Sequence, residues 1–401
     1  MYPKKKILLL GGSAQQIVAI DKAKTLGYYT VLCDYLPDNP GQYHADKFYQ
    51  ISTTDIDAVL NIAERESIDG IIAYASDPAA PTAAYVAEKM GLPTNPYTSV
   101  EVLCNKDKFR EFLFENGFNT PSAQGYASVE SAMLAADKLC FPVIIKPVDS
   151  SGSKGTTVLR DCDGLEDALK FAFLFSRGGR VIVEEFVEKK HPYLIGGDIF
   201  VVDGKIILWG LLNCHRDESV NKLVPVGKSY PLALSDDDIE LVRQTLQRMV
   251  DALGIKQGAM NVELIIDKKG RVFPIDVGPR NGGNMIPDLL GMIFDVDVVE
   301  MSIKAAMGEK LRAQTCEGAP YYATHNLHSA LAGTFDHVAF SSEIEKYIVR
   351  KEIYKSKGDA VEFFDNASKA IGIVFFKFDT KKNMESILGS INKHITICLQ
   401  E

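Results

Sequence analysis

The sequence predicts an α/β protein in three parts: parallel βαβ units over residues 1–103, a larger α+β domain over 104–310, and a small α+β lobe over 311–401. Three observations carry this. Short apolar runs alternate with helical spacing through the first hundred residues, the pattern of parallel βαβ units. Pro93 and Pro96 then interrupt the alternation, and Asn105 opens a new helix. Beyond Phe141 the apolar runs return as hairpins joined by Gly-containing turns.

In the first part, Ile7 to Leu10 read as a buried strand ending at Gly11-Gly12-Ser13, followed by a helix to Gly27. The strand Thr30 to Cys33 ends at Asp34. A helix carrying Ile56, Val59, Leu60 and Ala63 leads to the strand Gly70 to Tyr74. The first turn lacks the Gly-x-Gly-x-x-Gly spacing of dinucleotide sites. Gly11, Ser13 and Asp77 fall where the strand C-termini open, as turn and cap residues or as part of a substrate site.

In the second part, Asn105-Lys106-Asp107-Lys108-Phe109-Arg110 opens a helix with Phe109, Phe112 and Leu113 on one face. Two lysines in a first turn oppose the helix dipole, which favours acids there; a bound phosphate would account for them. Phe141 to Pro147 is an apolar strand ending in Lys146, and buried lysines are uncommon unless paired. The loop Asp149-Ser150-Ser151-Gly152-Ser153-Lys154-Gly155 follows, with many backbone N–H groups free for a polyphosphate. Arg180 to Glu188 is a β-branched run ending in acids. A hairpin turns at Asp203-Gly204. The stretch His215 to Tyr230, with Arg216, Lys222 and Lys228, reads as a long polar substrate-side loop. Asp236 to Leu253 is an amphipathic helix stopped by Gly254.

Gly258 to Gly283 is the most informative hairpin. Val262, Leu264 and Ile266 alternate with Asn261, Glu263 and Ile265; on the return strand Val272, Pro274 and Asp276 alternate with Phe273, Ile275 and Val277. Glu263 and Asp276 can therefore face each other, and such a pair repels unless a cation sits between, which suits Mg²⁺ shared with phosphate. Arg280 follows as a fork for carboxylate or phosphate.

In the third part, Tyr321 to Leu327, Ala370 to Phe378 and Ile395 to Leu399 read as strands of a closing lobe, and His325-x-x-His328 as a cap or surface pair.

Composition sets outer limits. With 46% hydrophobic and 24% charged residues the chain is an ordinary globular protein. A net charge of −9 lacks the basic footprint of nucleic-acid binding. Seven scattered cysteines without Cys-x-x-Cys point to a reduced, cytoplasmic compartment. Lys4 to Lys6 precede too few apolar residues for a signal peptide or a membrane span.

Over roughly residues 1–310 these strings resemble the ATP-grasp superfamily. The hairpin is similar to that family's metal-binding hairpin, where Glu on one strand and Glu-x-Asn-x-Arg on the next hold magnesium and the γ-phosphate; here the second acid is Asp276 and the Asn position is Gly278. The resemblance implies a Rossmann-like N-terminal domain, an ATP-grasp fold of two α+β lobes with a lid over 118–187, and a small C-terminal lobe. It implies Glu263 and Asp276 as ligands of Mg²⁺ or Mn²⁺, Arg280 and Lys146 as catalytic residues, and Lys106 and Lys146 on the phosphates of ATP. Ser151, Gly152, Ser153 and Gly155 become a flap over ATP. Glu185 and Val187 offer main-chain groups to adenine, and Glu184 or Glu188 a side chain.

The activity implied is ATP-dependent ligation, in which a small carboxylate becomes an acyl phosphate and is joined to an amine, in a monomer or a homodimer. Two alternatives stay open: a bicarbonate-dependent carboxylase of the purine-biosynthetic type, and an ATP-binding regulatory protein with weak turnover. No Ser-His-Asp or Cys-His arrangement calls for a side-chain nucleophile.

Overall fold

The computed structural model describes residues 4–150, 152–311 and 318–400. The N-terminal sheet is wholly parallel, in the order Lys47–Gln50, Tyr29–Asp34, Lys6–Leu10, Gly70–Ile72. Ile7 to Leu10 are fully buried, as expected of a parallel strand covered by helices on both faces. The strands open at their C-terminal ends onto the Gly11–Ser13 turn and the Tyr74–Asp77 turn, where Ala75 takes a left-handed conformation.

The segment expected as a lid holds a four-stranded antiparallel sheet, in the order Ala123–Tyr126, Val181–Glu185, Val143–Pro147, Thr157–Leu159. Helix Leu165–Leu174 lays Leu165, Ala168, Leu169 and Ala172 onto Val143, Ile145, Val181 and Val183. That apolar layer fixes the strand ends from which Lys146 and Glu184 project.

The large sheet has eight strands, in the order Val272–Gly278, Gln257–Ile266, Leu194–Val202, Lys205–Asp217, Asn221–Tyr230, Tyr322–Leu327, Gly372–Lys377, Ile348–Ile353, and all its pairings are antiparallel. Helix Asp236–Leu253 covers one face, where Val242, Leu246 and Met249 join Ile199, Val262 and Leu264 in one core. The register places Gly196, Asp198, Asn261, Glu263, Asp276, Cys214 and Lys228 on the opposite face. There helix Ile286–Phe294 packs over Phe200, Leu208, Leu212 and Ala259 and against the strand Tyr322–Leu327.

Two expectations are corrected. Residues 215–230 are not a polar loop but the far half of a long hairpin, Lys205–Asp217 with Asn221–Tyr230. Register shifts around Arg216 break the period of two that would have marked them as strands. Where the hairpin runs through the sheet its polar side chains bond across the pair: Asn213 Nδ2 lies 3.1 Å and His215 Nε2 2.8 Å from Ser229 Oγ. The His325/His328 pair is not on the surface either. His325 sits in the sheet interior, where burial pushes its imidazole down to about 3, and His328 lies between the Asn326 carbonyl and the Asp217 carboxylate.

Of the three C-terminal segments, two extend the large sheet, and Ile395–Leu399 pairs with Gly333–Phe340 in a separate three-stranded sheet. The C-terminal lobe thus grows directly from the edge of the central domain.

Candidate active site

The acid hairpin has the register its acids need: Glu263 lies opposite Asp276, and Asn261 opposite Gly278. Strict alternation on the return strand would put Asp276 on the same face as Val272 and Pro274. A bulge at Ile275 prevents this, since Leu264 pairs with Pro274 and Glu263 with Asp276. After the bulge Val277 turns into the core and Asp276 turns to the open face beside Glu263. The bulge carbonyls are not orphaned: Arg110 donates to Ile275 O at 2.6 Å and to Pro274 O at 3.4 Å. Both acids are half-buried, and Arg216 approaches Glu263 at 3.6 Å.

Arg280 is seated at the exit of the hairpin. Its guanidinium pairs with Asp77, from the turn at the C-terminal end of the N-terminal sheet, while its Nε is buried without a partner among the described residues. A Cβ on Gly278 would lie 2.5 Å from Asp77 Oδ1. The absence of a side chain at 278 therefore gives the Asp77 carboxylate its place, in the position where the family pattern has Asn. Asp198 completes this corner. It is buried, its Oδ2 accepts from Gly282 N–H at 2.8 Å and its Oδ1 from Asn261 Nδ2 at 2.9 Å. Burial outweighs these bonds and pushes the Asp198 carboxyl up to about 6.

In the lid, Lys146 and Glu184 meet with Arg110 in a fully buried ionic cluster. Lys146 Nζ lies 2.7 Å from Glu184 Oε2, and Arg110 Nε 2.9 Å from Glu184 Oε1. Burial raises the Glu184 carboxyl, but the two cations outweigh it and hold it at about 2; burial also lowers Lys146, an effect Glu184 partly offsets. One carboxylate thus faces two cations. Lys106 adds a third, since among the described residues its Nζ donates only to the Ser150 carbonyl, at 2.8 Å. The second helix-opening lysine, Lys108, is instead paired with Glu101 at 2.8 Å. This surplus positive charge suits a polyphosphate.

Among the remaining candidates, Gly152, Ser153 and Gly155 all adopt left-handed conformations, and Ser153 Oγ donates to Leu223 O of the facing hairpin at 3.0 Å. Ser151 lies outside the described residues. At the end of the strand Val181–Glu185, Glu185 donates its N–H to Ser122 O at 2.8 Å; beyond it Val187 is half-buried, and Glu188 is exposed and paired with Lys268. The structure therefore groups Lys106, Lys146 and Glu184 on the lid side and Glu263, Asp276 and Arg280 on the sheet side, whereas Glu188 points away to Lys268.

Sequence reasoning assigned no site role to Arg110 or Asp198. Each carried a signal: Arg110 shares the helix face of Leu113, and Asp198 is a lone acid inside the apolar strand Ile195 to Val202.

Residues 105–314, just over half of the chain, match the family model described as carbamoyl-phosphate synthase L chain, ATP binding domain. The chain belongs to this ATP-grasp family. It is 25% identical over 335 residues to the carbamoyl phosphate synthase large chain of Thermotoga petrophila, covering 79% of this chain but only 30% of that protein. It is 29% identical over 322 residues to the formate-dependent phosphoribosylglycinamide formyltransferase of Methanocaldococcus jannaschii, covering 76% of each. The crystal structure of an L-amino acid ligase from Bacillus licheniformis shares the ATP-grasp fold over the full length of both chains, with a TM-score of 0.83 and 19% identity.

The residues present fit Mg-nucleotide. Among the described residues no three His, Cys, Asp or Glu side chains form a cage for a metal alone. A facing carboxylate pair with open positions is instead what Mg²⁺ requires when phosphates complete its shell. The orphaned Arg280 Nε and the cationic surplus around Lys146 supply donors for anions. Among the described residues no helix is long and apolar enough to cross a membrane.

Two outcomes follow from the buried ions. Glu184→Gln leaves Arg110 and Lys146 without a counter-charge and should destabilise the fold by about 3–5 kcal/mol in urea denaturation; a loss below about 1 kcal/mol would show that the cluster is not a structural tie. Asp198 binds its proton more tightly folded than unfolded, where its value is about 3.9. The stability this confers is full below about pH 4 and is lost as pH rises through about 6. Asp198→Asn does not titrate, so between pH 4 and pH 7 it should gain roughly 2–3 kcal/mol on the wild type, at about 1.4 kcal/mol per pH unit. Parallel stability profiles for the two proteins would contradict this.

Proposed function

We propose that the protein is an ATP- and magnesium-dependent, ADP-forming ligase that activates a small carboxylate as an acyl phosphate and joins it to an amine. The observation that carries this reading is the pairing of two facing acids on an open sheet face with an excess of buried cations in the lid. A carboxylate and a triphosphate are both anions and can meet only where positive charge is concentrated, so positioning and electrostatics account for most of the catalysis. Names among the relatives, an L-amino acid ligase and a formate-dependent formyltransferase, support a carboxylate as the activated group.

Each residue then has a physical task. Lys146 and Lys106 hold the phosphates of ATP, and the Gly152–Gly155 loop closes over them; Glu185 and Val187 border the adenine. Glu263 and Asp276 would hold Mg²⁺, which when bound neutralises the phosphate oxygens. Arg280, fixed by Asp77, presents its remaining donors to charge developing on the transferred group. Glu184 keeps Lys146 extended and ionised. We place the module boundaries at 103/104 and 310/311, and the protein in the cytoplasm.

ADP release screened over amino acids, small carboxylates and bicarbonate tests the reading. Amine-dependent release supports it, strict dependence on bicarbonate would favour a carboxylase, and nucleotide binding without hydrolysis would refute an enzymatic role. Asp276→Asn should abolish turnover with little change in melting temperature, since removing one of two facing carboxylates relieves repulsion. Lys146→Ala should weaken nucleotide binding about 10- to 150-fold by calorimetry. Wild-type turnover in Asp276→Asn would mean that the hairpin acids are structural.

A further inference from the structure

Lys228 is a buried ammonium that none of the roles above uses. It is 5% exposed, and its Nζ lies 2.7 Å from the thiol sulfur of Cys214, its only side-chain partner among the described residues. No described carboxylate comes within 4 Å of it. A thiol is a weak acceptor and carries no compensating charge, whereas buried ammonium groups are normally paired with an anion. Asp198, the buried acid whose charge reaches Lys228, is already engaged by Gly282 and Asn261.

The position is as informative as the burial. From the strand Asn221–Tyr230 the side chain crosses the neighbouring strand and ends above Gly196, where a Cβ would meet Lys228 Nζ at 3.1 Å and Cys214 Sγ at 2.5 Å. Gly196 is the direct register partner of Glu263. Lys228 therefore delivers its charge one strand away from the acid pair. Arg216, on the same strand as Cys214, flanks Glu263 from that side too. Arg280 stands on the other side of the acids, next to Asp77.

We propose that Lys228 binds the carboxylate that the enzyme activates, holding it on the sheet beside Glu263 and across from the lid cations. This rests on the ligase reading, and it adds a residue that selects an organic carboxylate. The ammonium donates to the carboxylate oxygens, and the bare Gly196 lets the lysine reach across the strand to meet them. Cys214 serves only to hold the lysine in place before substrate enters.

The test uses the full-length protein and two independent readouts. Thermal melting is followed with acetate, formate, succinate, L-alanine and inorganic phosphate, each against sodium chloride at equal ionic strength, with Mg²⁺ and a non-hydrolysable ATP analogue present. At least one carboxylate should stabilise the wild type saturably and more than phosphate does. Lys228→Met should weaken that response at least tenfold in concentration, since one charge-assisted bond is lost, while Lys228→Arg retains part of it. Affinity for the analogue should be unchanged in both variants. A response that persists in Lys228→Met, one given by phosphate alone, or none in the wild type overturns the proposal. A purely structural lysine would lower the melting temperature in Lys228→Met and leave carboxylate dependence untouched. ADP release is measured separately: its absence with every carboxylate, alongside Lys228-dependent binding, would refute the ligase reading and leave the binding site standing.

Discussion

The cluster of Lys146, Glu184 and Arg110 is the interaction on which the arrangement of the site depends. It joins three elements that are far apart in sequence: the lid strand carrying Lys146, the neighbouring lid strand carrying Glu184, and the helix Lys106–Glu115 carrying Arg110. Through the same guanidinium it reaches the carbonyls of Pro274 and Ile275, so the lid is bonded to the bulge that turns Asp276 outward. A buried ion pair is seldom a source of net stability, but it is intolerant of alternative geometries. Here it fixes how the Lys146 side of the cleft stands relative to the acid hairpin.

Much of this was legible in the sequence because the chemistry contradicts the local environment. A lysine ending the apolar strand Val143–Pro147 and an acid within Gln257–Ile266 are both conspicuous against their neighbours. Parallel βαβ units and the Asp236–Leu253 helix follow from periodicity alone. What escaped has equally physical causes. The 215–230 segment satisfies its polar groups across a bulged hairpin, and neither bulge nor partner is encoded in local spacing. The phase change at Ile275 had the same origin. Asp77 could be seen as a strand-end residue, but its pairing with Arg280 spans 203 positions in the chain, and no local pattern reports a contact of that range.

Glycine on the open face has a shared logic. Gly196, Gly210 and Gly278 occupy register positions where any side chain would strike a neighbour: the Cys214 thiol and Lys228 ammonium, the Asp198 carbonyl and Leu290 side chain, and the Asp77 carboxylate respectively. At Gly196 and Gly278 a charged group, the Lys228 ammonium or the Asp77 carboxylate, lies across the bare sheet, and at Gly210 Leu290 of the covering helix does. The departure from the family pattern at 278 belongs to this series. It exchanges a side chain on the hairpin for one contributed by a different domain.

That exchange makes the ATP-grasp portion inseparable from what precedes it. Arg280 is largely buried, and Asp77 is its ion-pair partner. If residues 1–103 were excised, the guanidinium would be left facing a void next to a bare glycine, without its ion-pair partner. The Rossmann-like segment therefore cannot be treated as an interchangeable attachment. A chimera that grafts a different preceding domain onto residues 104–401 would have to bring an acid to the same spot, or restore a side chain at 278 at the same time.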